Sequence, residues 1–367
     1  MTKLTKGYAA LASDTDLEPF SFARRDLRAD DVAIDILYCG VCHSDLHHVR
    51  NHGGYVTYPT VPGHEIVGRV AAVGSSVSKF QPGDMVGVGC YVDSCQKCKP
   101  CNAGEEPYCV EYATPTYGFA DRHDGMPSQG GYSENIVVSE KFTVRIPDGL
   151  DPKAAAPLLC AGITTYSPLR HWKVGAEHKV AVVGLGGLGH MGLKFAKAMG
   201  AEVTLFTRSP DKEEEARRLG ADHVVLSTDE AQMAAAANSF DFILDTVPNA
   251  HDVNPYVATL AWNGTLILLG LLGPIDPPLH NVSLMMGRKS VASSNVGGIA
   301  ETQEMLDFCA AHGIASDIEL IDIQDINAAY ERMEKGEVRY RFVIDNASLR
   351  ENEAAIVSKG SRSSQLT

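Results

Sequence analysis

The stretch KVAVVGLGGLGHMGLKFAKAMG, residues 179–200, constrains the fold more than any other. A run of β-branched and small apolar residues ends at Gly184, and a helix pattern then runs to Gly200. Gly184, Gly186 and Gly189 form G-x-G-x-x-G, with Gly187 an extra glycine and Leu188 inside the turn. In this spacing the first glycine allows a tight turn and the second lets backbone approach a pyrophosphate. The third permits close helix–strand packing, and the helix N-terminus offers free N–H groups to phosphates. A Gly-rich turn without ligand is the alternative. Here both flanks fit and βα alternation continues through AEVTLFT, KEEEARRLG, HVVL, DFILDTV and GTLILLG. Strands this continuously apolar suit a parallel sheet covered on both faces. The expectation is an α/β chain with a doubly wound, Rossmann-type unit over 154–294.

The second strand of that unit ends at TLFTRSPDK. A site for NAD usually places an Asp or Glu there, on the ribose 2′-hydroxyl. This chain instead has Thr207, Arg208, Ser209 and Lys212. Two cations and two hydroxyls attract a 2′-phosphate that an acid would repel. Cations in a first helical turn also oppose the macrodipole, so an anion helps to explain them. The pattern favours NADP(H); the bland alternative is a pair of solvated charges.

Outside this region the pattern differs. Residues 1 to about 150 read as short strands cut by Gly and Pro, such as DVAIDILYC, IVGRVAAVG, DMVGVGC and YSENIVV, which suggests an antiparallel, barrel-like unit. AAAPLLCAGITTYSPLRHW reads as one helix with an early Pro. After about Ser294 come two helices, ETQEMLDFCAAHG and INAAYERMEKG, and a strand, RYRFVID, expected to rejoin the first unit. The domains are therefore read as 1–153 with 295–347, and 154–294. Residues 348–367 lack periodicity and are read as a disordered tail.

The formal charge of −14 with no Lys/Arg block speaks against nucleic acid. No run of 18 apolar residues and no signal-peptide core is seen, so a soluble, cytoplasmic protein with no membrane partner is expected. In that setting the nine cysteines are more often ligands, nucleophiles or packing groups than disulfides.

Four of them, Cys95, Cys98, Cys101 and Cys109, follow C-x2-C-x2-C-x7-C. Such spacing lets one loop wrap a tetrahedral ion with four thiolates, a closed and therefore structural zinc site. An iron–sulfur cluster is the competitor, but the C-x3-C-P continuation of ferredoxins is absent. A second set is scattered: Cys42 in CGVCHSDLHH, His64 and Glu65 in VPGHEIVG, and Cys160 in PLLCAGITTYSPL. Each alone reads as packing or a hydrogen-bonded pair. Together they could form Cys2His, a catalytic set with an open position.

These motifs, in this order, resemble the zinc-dependent medium-chain alcohol dehydrogenases. GHEIVGRVAAVGSSV is similar to their zinc signature, and CGVCHSDLH, GVGCYVDSCQKCKPC, LLCAGITTYSPL and VVGLGGLGH follow in the family's sequence. The resemblance runs from about residue 7 to about 347 and is closest to the cinnamyl-alcohol-dehydrogenase branch, within it the bacterial NADP-dependent aldehyde reductases. It implies a GroES-like catalytic domain split around a Rossmann domain, two zinc ions per chain, NADP(H), small alcohol or aldehyde substrates, and usually a homodimer with SVASSNV as an edge. It implies that Glu65 lies near the catalytic zinc and that Asp45 orients the zinc-bound histidine. Ser44 matches the hydroxyl that bonds the substrate oxygen, and His47 the end of a proton relay. His43 stands where many relatives carry an Arg on the cofactor pyrophosphate. Tyr91, Val296 and Ile299, with Leu271 nearby, line the substrate pocket by the same resemblance, or else belong to the core. His48 is read as a surface residue, and Cys39, Cys90 and Cys309 as packing. The rival readings are an NAD-dependent alcohol or polyol dehydrogenase and a non-catalytic, zinc-stabilised nucleotide-binding protein.

Overall fold

A computed structural model describes residues 4–270 and 273–350. The chain divides into two compact units. One contains the residues up to Cys160 and those from Gly298 onward; the other is Ala161–Gly297. The crossings at 160/161 and 297/298 lie a few residues beyond the 153/154 and 294/295 boundaries of the sequence reading.

The split unit is built on a seven-stranded sheet. Its long middle strand, Asp31–Gly40, alternates inward Val32, Ile34 and Ile36 with more polar positions, the period-two pattern of a strand covered on one face. Ile66–Val73 and Asn135–Ser139 pair with it in antiparallel fashion. The returning C-terminal strand, Arg341–Asp345, joins it as well, with Val343 opposite Gly40. A further strand, Ile318–Asp322, runs parallel to Arg341–Asp345. Its half-exposed residues give it little apolar signal, which is why the sequence reading passes over it. Val32, Ile34, Ile66, Val86, Ile136 and Phe342 fill the core.

The central unit is a six-stranded parallel sheet. Counted along this unit, its strands lie in the order 3-2-1-4-5-6, the doubly wound arrangement. Lys179–Val183 is the first strand; Glu202–Thr207 pairs on one side and Phe240–Asp245 on the other. The order reverses between Lys179–Val183 and Phe240–Asp245, so the loop after Val183 opens at the switch point where such sheets bind ligands. Ser290–Ser293 forms one edge.

The stretch read as one helix is broken. Pro152–Ala155 is α-helical, Ala156–Leu159 tightens to a 3-10 turn, and a new helix runs Ala161–His171. Cys160 sits at the break with φ −129° and ψ −72°. The periodicity continues across it because both pieces are buried.

Candidate active site

The helix His43–Val49 begins immediately after Cys42, whose extended backbone makes it the N-cap. Asp45, fully buried, accepts the Cys42 N–H at 2.9 Å and closes the first turn. The same carboxylate accepts the Gly63 N–H at 3.1 Å, His64 Nδ1–H at 3.0 Å and the Tyr132 hydroxyl at 3.3 Å. A carboxylate only accepts, so His64 Nδ1 carries a proton and Nε2 is the ring nitrogen that Asp45 does not use. Gly63 reaches φ +105°, and a Cβ there would meet Tyr132 at 2.6 Å. Only glycine fits, and the turn delivers His64 and Glu65 together.

Cys42, His64, Glu65 and Cys160 are all buried, and one ligand atom from each lies within 4.8 Å of the others. The Cys42 and Cys160 sulfurs are 4.0 Å apart. Tetrahedral zinc with Zn–S near 2.3 Å separates two sulfurs by about 3.8 Å. No described cysteine is in a disulfide. Glu65 pairs through Oε1 with Arg341, which also donates to the Val41 carbonyl at 2.9 Å. Glu65 Oε2 has no partner. Burial pushes the Glu65 carboxyl up to about 8, against the opposing pull of the Arg341 cation. A Cβ at residue 40 would lie 1.9 Å from that free oxygen, so Gly40 makes its room. Two thiols, the imidazole nitrogen that Asp45 does not use and a buried carboxyl oxygen with no partner among the described residues are a donor set that fits zinc.

The second cysteine set also converges. Cys95, Cys98, Cys101 and Cys109 bring their sulfurs within 4.8 Å of one another. Cys101 stands 3.4 Å from Cys98 and 3.9 Å from Cys95. Backbone N–H groups of Cys101 and Val110 draw the Cys98 thiol down to about 6, while burial lifts Cys101 to about 12. The four sulfurs form a cage that also fits zinc, and with no fifth donor among the described residues it is closed.

Around the first set, Ser44 is half-exposed and its hydroxyl has no partner among the described residues. The His47 Nδ1 lies 2.8 Å from the Nδ1 of His52. His52 was not anticipated from sequence. The chain folds back after the helix, with the His52 N–H on the His47 carbonyl at 3.0 Å, and no fixed spacing signals that. His43 is exposed, its ring 6.4 Å from that of His47. The surface reading of His48 is corrected: only 7% exposed, it meets Tyr117 edge-on at 4.8 Å. Gly118, at φ +77°, leaves the space its ring fills; a Cβ there would meet His48 Nε2 at 2.3 Å. Tyr91 and Ile299 are half-buried against the core of the split unit, and Val296 is 8% exposed. Leu271 lies outside the described residues.

In the central unit, Gly184 takes φ +87° at the end of its strand. A Cβ on Gly189 would lie 2.1 Å from the Gly184 carbonyl, the close helix–strand approach that the third glycine permits. The helix Gly189–Ala198 has Leu188 as N-cap and no side-chain cap, and the His190 and Met191 N–H groups bond the Gly186 and Leu188 carbonyls at 3.1 and 3.0 Å. Nothing lies within 4 Å of the position a Cβ on Gly186 would take. At the end of the next strand the Ser209 N–H bonds Thr207 Oγ1 at 3.1 Å. Lys212 Nζ donates to the Leu185 carbonyl at 3.3 Å, which ties the cation to the Gly-rich turn. Arg208 is exposed and makes no ion pair among the described residues.

A β unit with a buried cysteine–imidazole site, and a doubly wound sheet with a Gly-rich turn inserted in its sequence, define a metal-dependent, dinucleotide-linked dehydrogenase. Comparison with known proteins narrows the class. Residues 28–148 match the alcohol dehydrogenase GroES-like domain, and residues 187–311 the zinc-binding dehydrogenase domain. The aldehyde reductase YahK of Escherichia coli (strain K12) is 53% identical over 345 residues, covering 94% of this chain and 99% of that protein. A cinnamyl alcohol dehydrogenase of Sorghum bicolor, SbCAD4, superposes with TM-score 0.91 at 46% identity, covering 94% of this chain and 98% of that one. The Helicobacter pylori enzyme solved with NADP(H) gives TM-score 0.88 at 43% identity, covering 95% and 99%. The chain belongs to the zinc-dependent alcohol dehydrogenases. No helix among the described residues is long and apolar enough to cross a membrane.

Proposed function

We propose that this chain transfers hydride between NADP(H) and primary alcohols or aldehydes of broad aliphatic and aromatic type, mainly in the direction of aldehyde reduction. The observation that carries this reading is the convergence of Cys42, His64 and Cys160 beside the free Glu65 oxygen. When bound, zinc supplies Lewis-acid polarisation of a carbonyl and the nicotinamide supplies hydride. The chain's own residues hold, orient and move protons. Cys42 and Cys160 hold the metal through sulfur, and His64 through the nitrogen that Asp45 leaves free. In this reading the Ser44 hydroxyl, with no partner among the described residues, donates the proton to the product oxygen. His47 and His52 share one proton between two Nδ1 atoms 2.8 Å apart, so a proton entering at one ring can leave from the other.

His47→Ala is expected to slow alcohol oxidation about 100-fold near neutral pH, the size of a positioned general base. The deficit shrinks as pH rises and solvent base takes over, with a smaller loss in His52→Ala. A pH–rate profile for kcat that matches the unmodified enzyme rejects the relay.

Thr207, Arg208, Ser209 and Lys212 are the proposed grip on the 2′-phosphate, with His43 on the pyrophosphate. NADPH is expected to outperform NADH. Arg208→Asp should raise KM for NADPH about 10- to 100-fold, since a charge-assisted contact contributes about 1.5–3 kcal/mol. Steady-state kinetics with both cofactors, over a panel of aldehydes and alcohols, tests the reading; equal use of NADH rejects the phosphate grip. We place the enzyme in the cytoplasm as a homodimer paired through the Ser290–Ser293 edge, where the same unit exposes Trp262, Met285 and Met286. A sedimentation mass of one chain would exclude the dimer.

A further inference from the structure

The chain crosses between its units twice, after Cys160 and after Gly297. The first crossing carries a residue of the scattered metal set. The second returns into the helix Ile299–His312, whose N-cap is Gly298 and has no side chain to cap with. That role falls to Glu106, 193 residues away in sequence, whose Oε2 accepts the Ile299 N–H at 3.0 Å. A carboxylate there satisfies an orphan donor and meets the positive end of the helix dipole. The contact is tight: a Cβ on Gly298 would lie 1.7 Å from the Gly104 carbonyl and 2.7 Å from Glu106 Oε2. Gly104 and Glu106 both lie between Cys101 and Cys109, so the clamp belongs to a loop closed at each end by the four-cysteine set. Cys101, Glu106 and Ile299 line one cavity of about 650 Å³.

We propose that Glu106 is a positioning residue: through it the four-cysteine metal lobe holds Ile299, at the start of its helix, in register for substrate binding. The proposal rests on the reading that Ile299 lines the substrate pocket. A lobe that served only as a staple would need no carboxylate aimed at the one helix that opens at the second crossing. The effect belongs in substrate affinity, because Glu106 touches neither the scattered metal set nor the Gly-rich turn.

The test combines hydrogen exchange with kinetics on the zinc- and NADPH-loaded enzyme. Glu106→Ala should keep both zinc ions, speed amide exchange across residues 299–302 about fivefold, as loss of one cap predicts, and raise KM for aldehydes several-fold with kcat within about twofold. Glu106→Gln keeps an acceptor oxygen and should restore most of both. Cys109→Ser should speed the same amides, and adding Glu106→Ala to it should change them little further. Unchanged exchange in Glu106→Ala overturns the clamp. Faster exchange with unchanged KM overturns the positioning role when Ile299→Ala itself alters KM. If Ile299→Ala leaves KM unchanged too, the pocket reading has failed, and the proposal with it.

Discussion

Cys160→Ala is expected to lower turnover at least about a thousandfold while leaving NADPH binding and the fold intact. The magnitude follows from the chemistry the site holds: Lewis-acid stabilisation of a developing oxyanion is worth several kcal/mol, and each 1.36 kcal/mol is a factor of ten. Cys160 is the residue to choose because it sits in a break, not inside a helix, with φ −129° and ψ −72°. Alanine accepts that backbone, and the loss is then a lost ligand with little refolding cost. Metal analysis should fall from two zinc ions per chain to one, because the set at Cys95, Cys98, Cys101 and Cys109 shares no residue with the first. Cys42→Ala should behave alike. Retention of full activity with two zinc ions in either variant would end the assignment.

The second large effect is on stability. Arg341→Met should destabilise the split unit by about 2–5 kcal/mol, the cost of leaving two buried groups, the Val41 carbonyl and the Glu65 carboxyl, without their donor. Arg341 is 4% exposed and Glu65 is fully buried, with one oxygen already unpartnered, so no solvent is at hand to compensate. In a unit of this size about 2–4 °C is lost per kcal/mol, so the melting temperature should drop by about 4–20 °C. Adding Glu65→Leu removes one of the two stranded groups and should recover about half of the loss. A melting temperature within about 2 °C of the unmodified protein would show that Arg341 does not hold Glu65. Calorimetry on the two variants decides it.

How far sequence reasoning reached depended on how local each feature is. The four lobe cysteines lie within fifteen consecutive residues, and their spacing alone defines a cage. The Gly-rich turn is likewise one strand, one turn and one helix. The other metal set spans 118 residues from Cys42 to Cys160. No local pattern brings those residues together: their residue types allowed a Cys2His set and the family resemblance supported it, but only the structure sets their donor atoms side by side. Arg341 went unseen because strand pairing delivers it: Val343 opposes Gly40, which carries the arginine to Glu65. His52 arrives by a fold-back after a short helix. His48 was misjudged because a histidine next to another, on a polar-looking helix, gives no sign of the cavity that Gly118 and Tyr117 leave for it. The helix break at Cys160 was hidden because apolar periodicity runs through it unbroken. In each case the missing information was a partner distant in sequence, which local propensity does not encode.

Anomalous diffraction at the zinc absorption edge, on crystals grown with NADPH, tests the core of this account most directly. Two peaks per chain are expected. One should lie about 2.3 Å from the Cys42 and Cys160 sulfurs and about 2.0 Å from His64 Nε2, and the other at the centre of the four lobe sulfurs. A single peak in the lobe, with no metal between Cys42, His64 and Cys160, would contradict it.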